Sequence, residues 1–226
     1  QRWNVEMRWI ADGVRDSETS PYSVTQTVDW ITALSPDDGV VALGLGGNEV
    51  GYPPAPFVAD FARARAAGLR TVAHAGETTG HATICDSLDF LGVERIGHGV
   101  RAAENPRLVE RLARDRIPLE LCPTSNLCTG VVAGFADHPV RTFDEAGVLV
   151  TVNSDDPPLF GTTLTDEFLV LARQWGYDAD GLQRIALNAV DAAFLSDEEK
   201  SRLRKEFVSE FTNLRQELGL PPVHGE

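Results

Sequence analysis

The sequence predicts an α/β fold built on a parallel sheet, and three observations carry the prediction. Short apolar runs rich in β-branched residues recur at 5–10, 40–45, 70–74, 95–100, 117–122 and 149–153, each of strand length. Between them lie stretches of helix length, at 55–67, 83–91, 106–115 and 140–146, with apolar residues three or four apart. Gly68 and Gly147 stand just before strands, where a helix ends in a left-handed residue. Strand and helix therefore alternate, and a strand that returns through a helix pairs in parallel with the one before it.

After the sixth strand the chain turns wholly helical, through 166–174 and 179–189 to a last amphipathic helix. Ser196 and Glu199 form a capping box at its start. Leu203, Phe207, Phe211, Leu214 and Leu218 make one apolar stripe, and Gly219 and Pro221 end it. No linker, low-complexity segment or sequence repeat interrupts residues 1–226, so one domain is expected. Gln1 opens almost inside a strand-like run, which reads as a start within a longer protein rather than a natural beginning.

Composition excludes more than it selects. With 34 acidic against 20 basic residues the net charge is −14, which repels phosphate backbones and anionic lipid and argues against nucleic acid and membrane as partners. Neither a signal-peptide core nor a membrane-length apolar run is present. Cys85, Cys122 and Cys128 form no CxxC pair, and are expected to be reduced thiols in a cytoplasmic protein.

Units of this kind either close as an eight-stranded barrel or stay open as a doubly wound sheet. The stretch Gly44-Leu45-Gly46-Gly47 lacks the spacing of a dinucleotide loop. For the barrel stands the placement of ionisable residues at the ends of several different strands: His74, Glu77, His98, Asp155 and Asp156. His74 closes an apolar strand and is followed by Ala75 and Gly76, small enough for a tight turn that returns Glu77 beside the imidazole. That suits a metal ligand with an acid/base partner, and equally a hydrogen-bonded structural histidine. His98, between Gly97 and Gly99, has room to meet a ligand, or to sit in a surface turn. Asp155 and Asp156 repel each other unless a cation or hydrogen bonds compensate, so one suits a metal and the other a substrate; a solvated helix cap is the plain alternative. Taken together the five suit hydrolysis by an activated water. The Cys122-Pro123 order is the reverse of that in a PCxxC zinc site.

His74-Ala75-Gly76-Glu77, Arg95-Ile96-Gly97-His98-Gly99, Cys122-Pro123-Thr124-Ser125-Asn126 and Asn153-Ser154-Asp155-Asp156-Pro157 together resemble the adenosine and adenine deaminase family, in order and in spacing. The resemblance continues to Asn188, Ala189, Phe194 and Leu195 and covers nearly the whole chain. It implies a (β/α)8 barrel, of which this chain supplies about six βα units and a helical C-terminus. It also implies one zinc ion per full-length subunit and attack of water on C6 of a purine with release of ammonia. On that resemblance His74 and Asp155 are zinc ligands, Glu77 protonates N1, and His98 orients and deprotonates the water. Asp156 hydrogen-bonds N7, the amide of Gly47 meets N3, and the Cys122 to Asn126 stretch shapes the pocket floor. His74, Glu77, His98 and Asp155 are expected to converge in one cleft.

The family's His-x-His pair is absent here, and His81, His138 and His224 match no ligand of the family. The chain is thus expected to lack two preceding βα units, to leave its first and last strands as edges, and to hold zinc poorly alone. The residues around His98 look like those of adenosine enzymes; Val50-Gly51-Tyr52-Pro53-Pro54 and the Asn-Ser-Asp-Asp run look like the adenine and aminodeoxyfutalosine branch. Adenosine is the expected substrate, with 6-aminodeoxyfutalosine and adenine as alternatives. An inactive chain that binds a purine or a protein partner is the alternative of another class, and a homo-oligomer is compatible with either.

Overall fold

In a computed structural model of the chain, the structure describes residues 6–16 and 23–222; Val5 in the expected first strand, and His224, lie outside them. The chain divides into two compact units, Gln1–Glu120 with Ala146–Val148, and Leu121–Glu145 with Leu149–Glu226.

The first unit is a run of βα repeats. Strands β1 (Trp9–Val14), β2 (Val40–Gly46), β3 (Arg70–Ala75) and β4 (Arg95–His98) pair consecutively and in parallel, and β4 pairs in the same way with Leu119 and Glu120 of β5 (Leu119–Leu121). Strand order follows chain order throughout. Between the strands come α1 (Val24–Thr32), α2 (Val58–Ala66, entered by a 3-10 turn at Ala55–Phe57), α3 (Ala82–Asp86) and α4 (Pro106–Arg114). Each helix turns a narrow apolar face inward, Phe61 and Ala64 on α2, Leu108 and Leu112 on α4, against a sheet whose Leu43, Leu45, Ala73, Ile96 and Leu119 are buried. Burying a leucine or isoleucine side chain contributes roughly 1.5–3 kcal/mol, so these strand interiors dominate the unit's stability.

Two departures from the sequence pattern have clear causes. The first strand runs Trp9–Val14, not 5–10, because its pairing partners are Val40 to Gly46. Asp12 and Gly13 lower its β propensity and hide it, yet Gly13 is required: a Cβ there would lie 2.7 Å from the Val24 Cα. Helix α1 escapes the pattern because Val24, Thr25, Thr27, Val28 and Ile31 are β-branched. It forms because Ser23 accepts the Gln26 N–H as N-cap, and Val24, Thr27, Val28 and Ile31 make one buried face. The helix expected over 83–91 begins at Ala82 and widens into a π turn at Ser87–Leu91, closed by left-handed Gly92.

The second unit is mostly helical: α5 (Pro123–Cys128), α6 (Val140–Glu145), strand β6 (Val150–Val152), then α7 (Pro157–Phe160), α8 (Leu164–Trp175), α9 (Ala179–Ala192) and α10 (Asp197–Glu217). The short α5 and α7 are absent from the sequence reading. Every residue of β6 is buried, and the Asn188 side chain of α9 donates to the Val150 carbonyl at 2.9 Å, fixing helix to strand. The Ser196 and Glu199 capping box is formed. The α10 stripe is half-buried at Leu203, Phe207 and Phe211 but opens to solvent at Leu218, 70% exposed. Gly68 and Gly147 are left-handed, at φ 85° and 80°, as their positions before strands require. The three cysteines are free thiols. Among the described residues no helix is long and apolar enough to cross a membrane.

Candidate active site

The strand ends of the first unit bring three of the expected residues together. His74 lies near the end of β3, Glu77 two residues beyond it, and His98 at the end of β4. The two imidazoles meet edge to face with ring centroids 4.9 Å apart, and His98 Nε2 is 3.7 Å from a Glu77 carboxylate oxygen. One ligand atom from each of His74, Glu77 and His98 lies within 4.8 Å of the others.

Glycines make this crowding feasible. A Cβ on Gly97 would stand 3.0 Å from the His74 ring, so β4 lacks a side chain where β3 needs space. A Cβ on Gly44 would fall 1.6 Å from an Asp12 carboxylate oxygen, so β2 yields in the same way to β1. Asp12 is exposed as a residue, but its carboxyl group is desolvated, which raises its pKa, while the charge of His74 acts the other way. His98 itself is left-handed at φ 59°, and Gly99 follows at 67°. A non-glycine in that region costs about 1–3 kcal/mol, a strain typical of functional positions. Gly47 is also left-handed, at 87°, with a would-be Cβ 2.6 Å from the Asp16 carboxylate.

Beneath the cluster lie two buried charges. Glu49, 3% exposed, accepts hydrogen bonds from the N–H groups of Gly76 (2.9 Å), Glu77 (2.9 Å) and Thr78 (3.2 Å) and from the Thr79 and Thr83 hydroxyls. Burial pushes its carboxyl up, but the Thr79 hydroxyl and the three N–H groups overcome this and hold it below the ordinary carboxylate range. Arg15, 2% exposed, donates to the carbonyls of Leu45, Gly46 and His74, tying together the ends of β2 and β3. Burial draws its guanidinium below its ordinary value, and the charges of Glu49, Asp16 and Glu77 oppose the shift.

Asp155 and Asp156 belong to the second unit and are exposed there. Asp155 is left-handed at φ 55° and accepts from the Ser125 hydroxyl at 2.7 Å. Asp156 occupies the N-cap position of α7 without a side-chain capping bond. The Cys122 to Asn126 stretch is a packing centre. Cys122 is buried, Asn126 accepts from His138 Nε2, and the Thr124 N–H donates to Glu167, which is fully buried and also accepts from Thr162. His138 is thereby a structural histidine, its Nδ1 accepting the Val140 N–H. His81 stands at the start of α3, beside Glu104.

The sequence pattern did not mark Glu49, Arg15 or Glu167, and it marked Ser125 only within the Cys122 to Asn126 stretch. Glu49 carried one signal: it follows the end of a strand closely, as Glu77 does.

The chain is similar to known proteins over most of its length. The family model described as adenosine deaminase matches residues 2–210. The chain belongs to the adenosine deaminase family. Its relatives include the aminodeoxyfutalosine deaminase of Streptomyces avermitilis, 48% identical over 88% of this chain and 56% of that protein. The adenosine deaminase of Erwinia tasmaniensis is 44% identical over 89% of this chain and 59% of that protein. Among solved structures, the adenine deaminase of Arthrobacter aurescens superposes with a TM-score of 0.83 at 36% identity, over 91% of this chain and 62% of that one. An amidohydrolase from Burkholderia ambifaria with bound zinc gives 0.85 at 30%, over 94% and 58%. The chain thus spans rather more than half the length of these deaminases, and its fold class is that of their (β/α)8 barrel.

Proposed function

We propose that the whole protein carrying this chain hydrolytically deaminates a 6-aminopurine nucleoside, adenosine to inosine and ammonia, with one zinc ion. The observation that carries the reading is the meeting of His74, Glu77 and His98, whose ligand atoms lie within 4.8 Å of one another. Imidazole nitrogen and carboxylate oxygen are donors that zinc accepts, so a histidine of this cluster and an aspartate suit the ion, with Glu77 and His98 beside it for acid and base work. His74 and Asp155 are the residues of this chain proposed to hold it. When bound, zinc supplies Lewis-acid activation of water near neutral pH.

The chain's own groups do the rest. Water oxygen bonds to C6, the C6–N6 bond breaks as the amino group takes the proton that His98 has removed from the water, and ammonia leaves while the proton of the new C6 hydroxyl returns to Glu77 as the carbonyl forms. His98, with its ring beside the carboxylate of Glu77, takes the proton of the attacking water. Glu77 donates to ring N1, so that negative charge does not build up on the purine as C6 becomes tetrahedral. Asp156 hydrogen-bonds N7, and the Gly47 N–H donates to N3. A cytoplasmic setting and reduced thiols fit a nucleoside substrate.

One observation favours a second substrate: the 48% identity to an aminodeoxyfutalosine deaminase. The reaction at C6 is the same, so 6-aminodeoxyfutalosine is the alternative, with adenine behind it. Metal analysis of the whole protein, followed by ammonia release from the three compounds, tests the reading. Zinc near one per subunit with release from adenosine supports it. Release from 6-aminodeoxyfutalosine alone moves the assignment to that substrate. Zinc-free protein that releases ammonia from none of them, yet binds a purine, supports an inactive binding role.

A further inference from the structure

We propose that Glu49 is the positioning residue of this active site: it sets the loop that carries Glu77, and through that loop the proton delivered to the substrate. This rests on the proposed deaminase reading for its catalytic half and on geometry alone for its structural half.

The loop after β3 reads Gly76-Glu77-Thr78-Thr79-Gly80. Two glycines and no regular structure would leave the N–H groups of Glu77 and Thr78 without protein acceptors, that of Gly76 with the Thr83 hydroxyl alone, and the Glu77 side chain free to sample many directions. Glu49 removes that freedom. One of its oxygens accepts from the N–H groups of Glu77 (2.9 Å) and Thr78 (3.2 Å). The other accepts from the N–H of Gly76 (2.9 Å) and the hydroxyls of Thr79 (2.5 Å) and Thr83 (3.2 Å).

A carboxylate has about four lone-pair sites, so the three N–H groups and the Thr79 hydroxyl already fill it, whether the Thr83 hydroxyl points to Glu49 or to the Gly80 carbonyl. Glu49 therefore has no capacity to move a proton itself, and at 3% exposure no solvent competes for it. Bonds from N–H to a carboxylate are among the stronger ones in proteins, and three of them converge on consecutive residues. The backbone of Glu77 is fixed on both sides, which sets where its carboxyl group can reach beside His98 and His74. Gly76 is part of the same device. It is left-handed at φ 64°, and a Cβ there would lie 2.5 Å from Ile84, so the turn closes tightly enough for three N–H groups to share one acceptor.

Replacing the acid by its amide tests the role, because Glu49→Gln keeps the shape but turns one acceptor oxygen into a donor that faces donors. In the whole protein with metal bound, Glu49→Gln is expected to lower kcat by about 10- to 100-fold, the usual penalty for misplacing a catalytic group by about 1 Å, with KM changed less than threefold and metal content unchanged. Glu49→Asp should recover part of the loss. The decisive measurement is the double-variant cycle: on a Glu77→Gln background, Glu49→Gln should have almost no further effect on kcat, since the group it positions is gone. Additive losses would overturn the positioning role, and so would wild-type kcat in Glu49→Gln.

The structural half has a readout independent of turnover. Amide hydrogen exchange across 76–80 should speed up at least tenfold in Glu49→Gln while the β2 and β4 peptides stay protected, and unchanged exchange would overturn the proposal. Should Glu49→Gln fail to fold, Thr79→Ala, which removes one donor to Glu49, must show the same pattern on a smaller scale. Failure of the deaminase reading appears separately, as absence of ammonia release from unaltered protein while the exchange result stands.

Discussion

The loop that follows β3 and the corner that holds Asp155 solve one problem in different ways. Each must present a carboxylate from irregular backbone without letting it wander. In the first unit a buried acid, Glu49, gathers three successive N–H groups and two hydroxyls, and Glu77 is held through its backbone. In the second unit the backbone at Asp155 is itself in the left-handed region, and the side chain accepts from the Ser125 hydroxyl. A buried acid is present there also, but Glu167 accepts from Thr124 and Thr162 and so anchors the α5 corner rather than the Asp155 backbone. The comparison teaches that Glu77 is set through its backbone, whereas the Asp155 carboxylate is held directly by one buried hydroxyl.

The sharpest way to break this contrast is Glu77→Gln in the whole protein. The amide cannot donate the proton that N1 needs, and a positioned general acid contributes about 10²–10⁴-fold, so turnover should fall by that much while zinc stays bound. Activity within a factor of two of the unaltered enzyme would remove Glu77 from the mechanism.

Next in size is Glu167→Ala. It leaves the part-buried Thr124 N–H and the buried Thr162 hydroxyl without this acceptor, at about 1–3 kcal/mol each, so thermal unfolding should show a loss of roughly 2–6 kcal/mol. An equal loss of activity at temperatures where the fold is intact would show that this corner serves the chemistry as well. Ser125→Ala should act the other way round, on function more than on stability. Losing the hydrogen bond to Asp155 should weaken zinc binding about tenfold, the lower end for removing a partner of a metal ligand, as measured by competition with a chelator.

The smallest effect concerns acid. The Glu49 carboxyl is held below its ordinary value, so its contribution to stability is fully present above the unfolded value of about 4.3 and is lost as pH falls through the lower folded value. Denaturation followed between pH 6 and pH 3 should show stability declining with acid in the unaltered protein and a flatter decline in Glu49→Gln. Identical slopes would mean that the Glu49 carboxyl titrates alike in the folded and unfolded chain and that its hydrogen bonds do not favour the ionised form.

Much of this was written in local sequence. The alternation of apolar β-branched runs with helix-length stretches sufficed for a parallel α/β sheet, because strand and helix differ in period over a few residues. The left-handed glycines at 68 and 147 and the Ser196 and Glu199 cap follow from near-neighbour chemistry, and the structure forms all of them. His74, Glu77 and His98 stood out because small residues surround them at strand ends.

Tertiary structure decided the rest. The first strand took Trp9–Val14 rather than 5–10 because register with β2, not propensity, sets a strand's limits. Helix α1 formed from β-branched residues because a cap and a buried face outweigh intrinsic preference. Glu49 and Glu167 became structural anchors through partners 27 and 43 positions away. Beyond the place of Glu49 just after a strand, nothing within a few residues of either acid marks such a role, since a buried acid is tolerated only where the fold brings donors to it, and that convergence exists only in the folded chain.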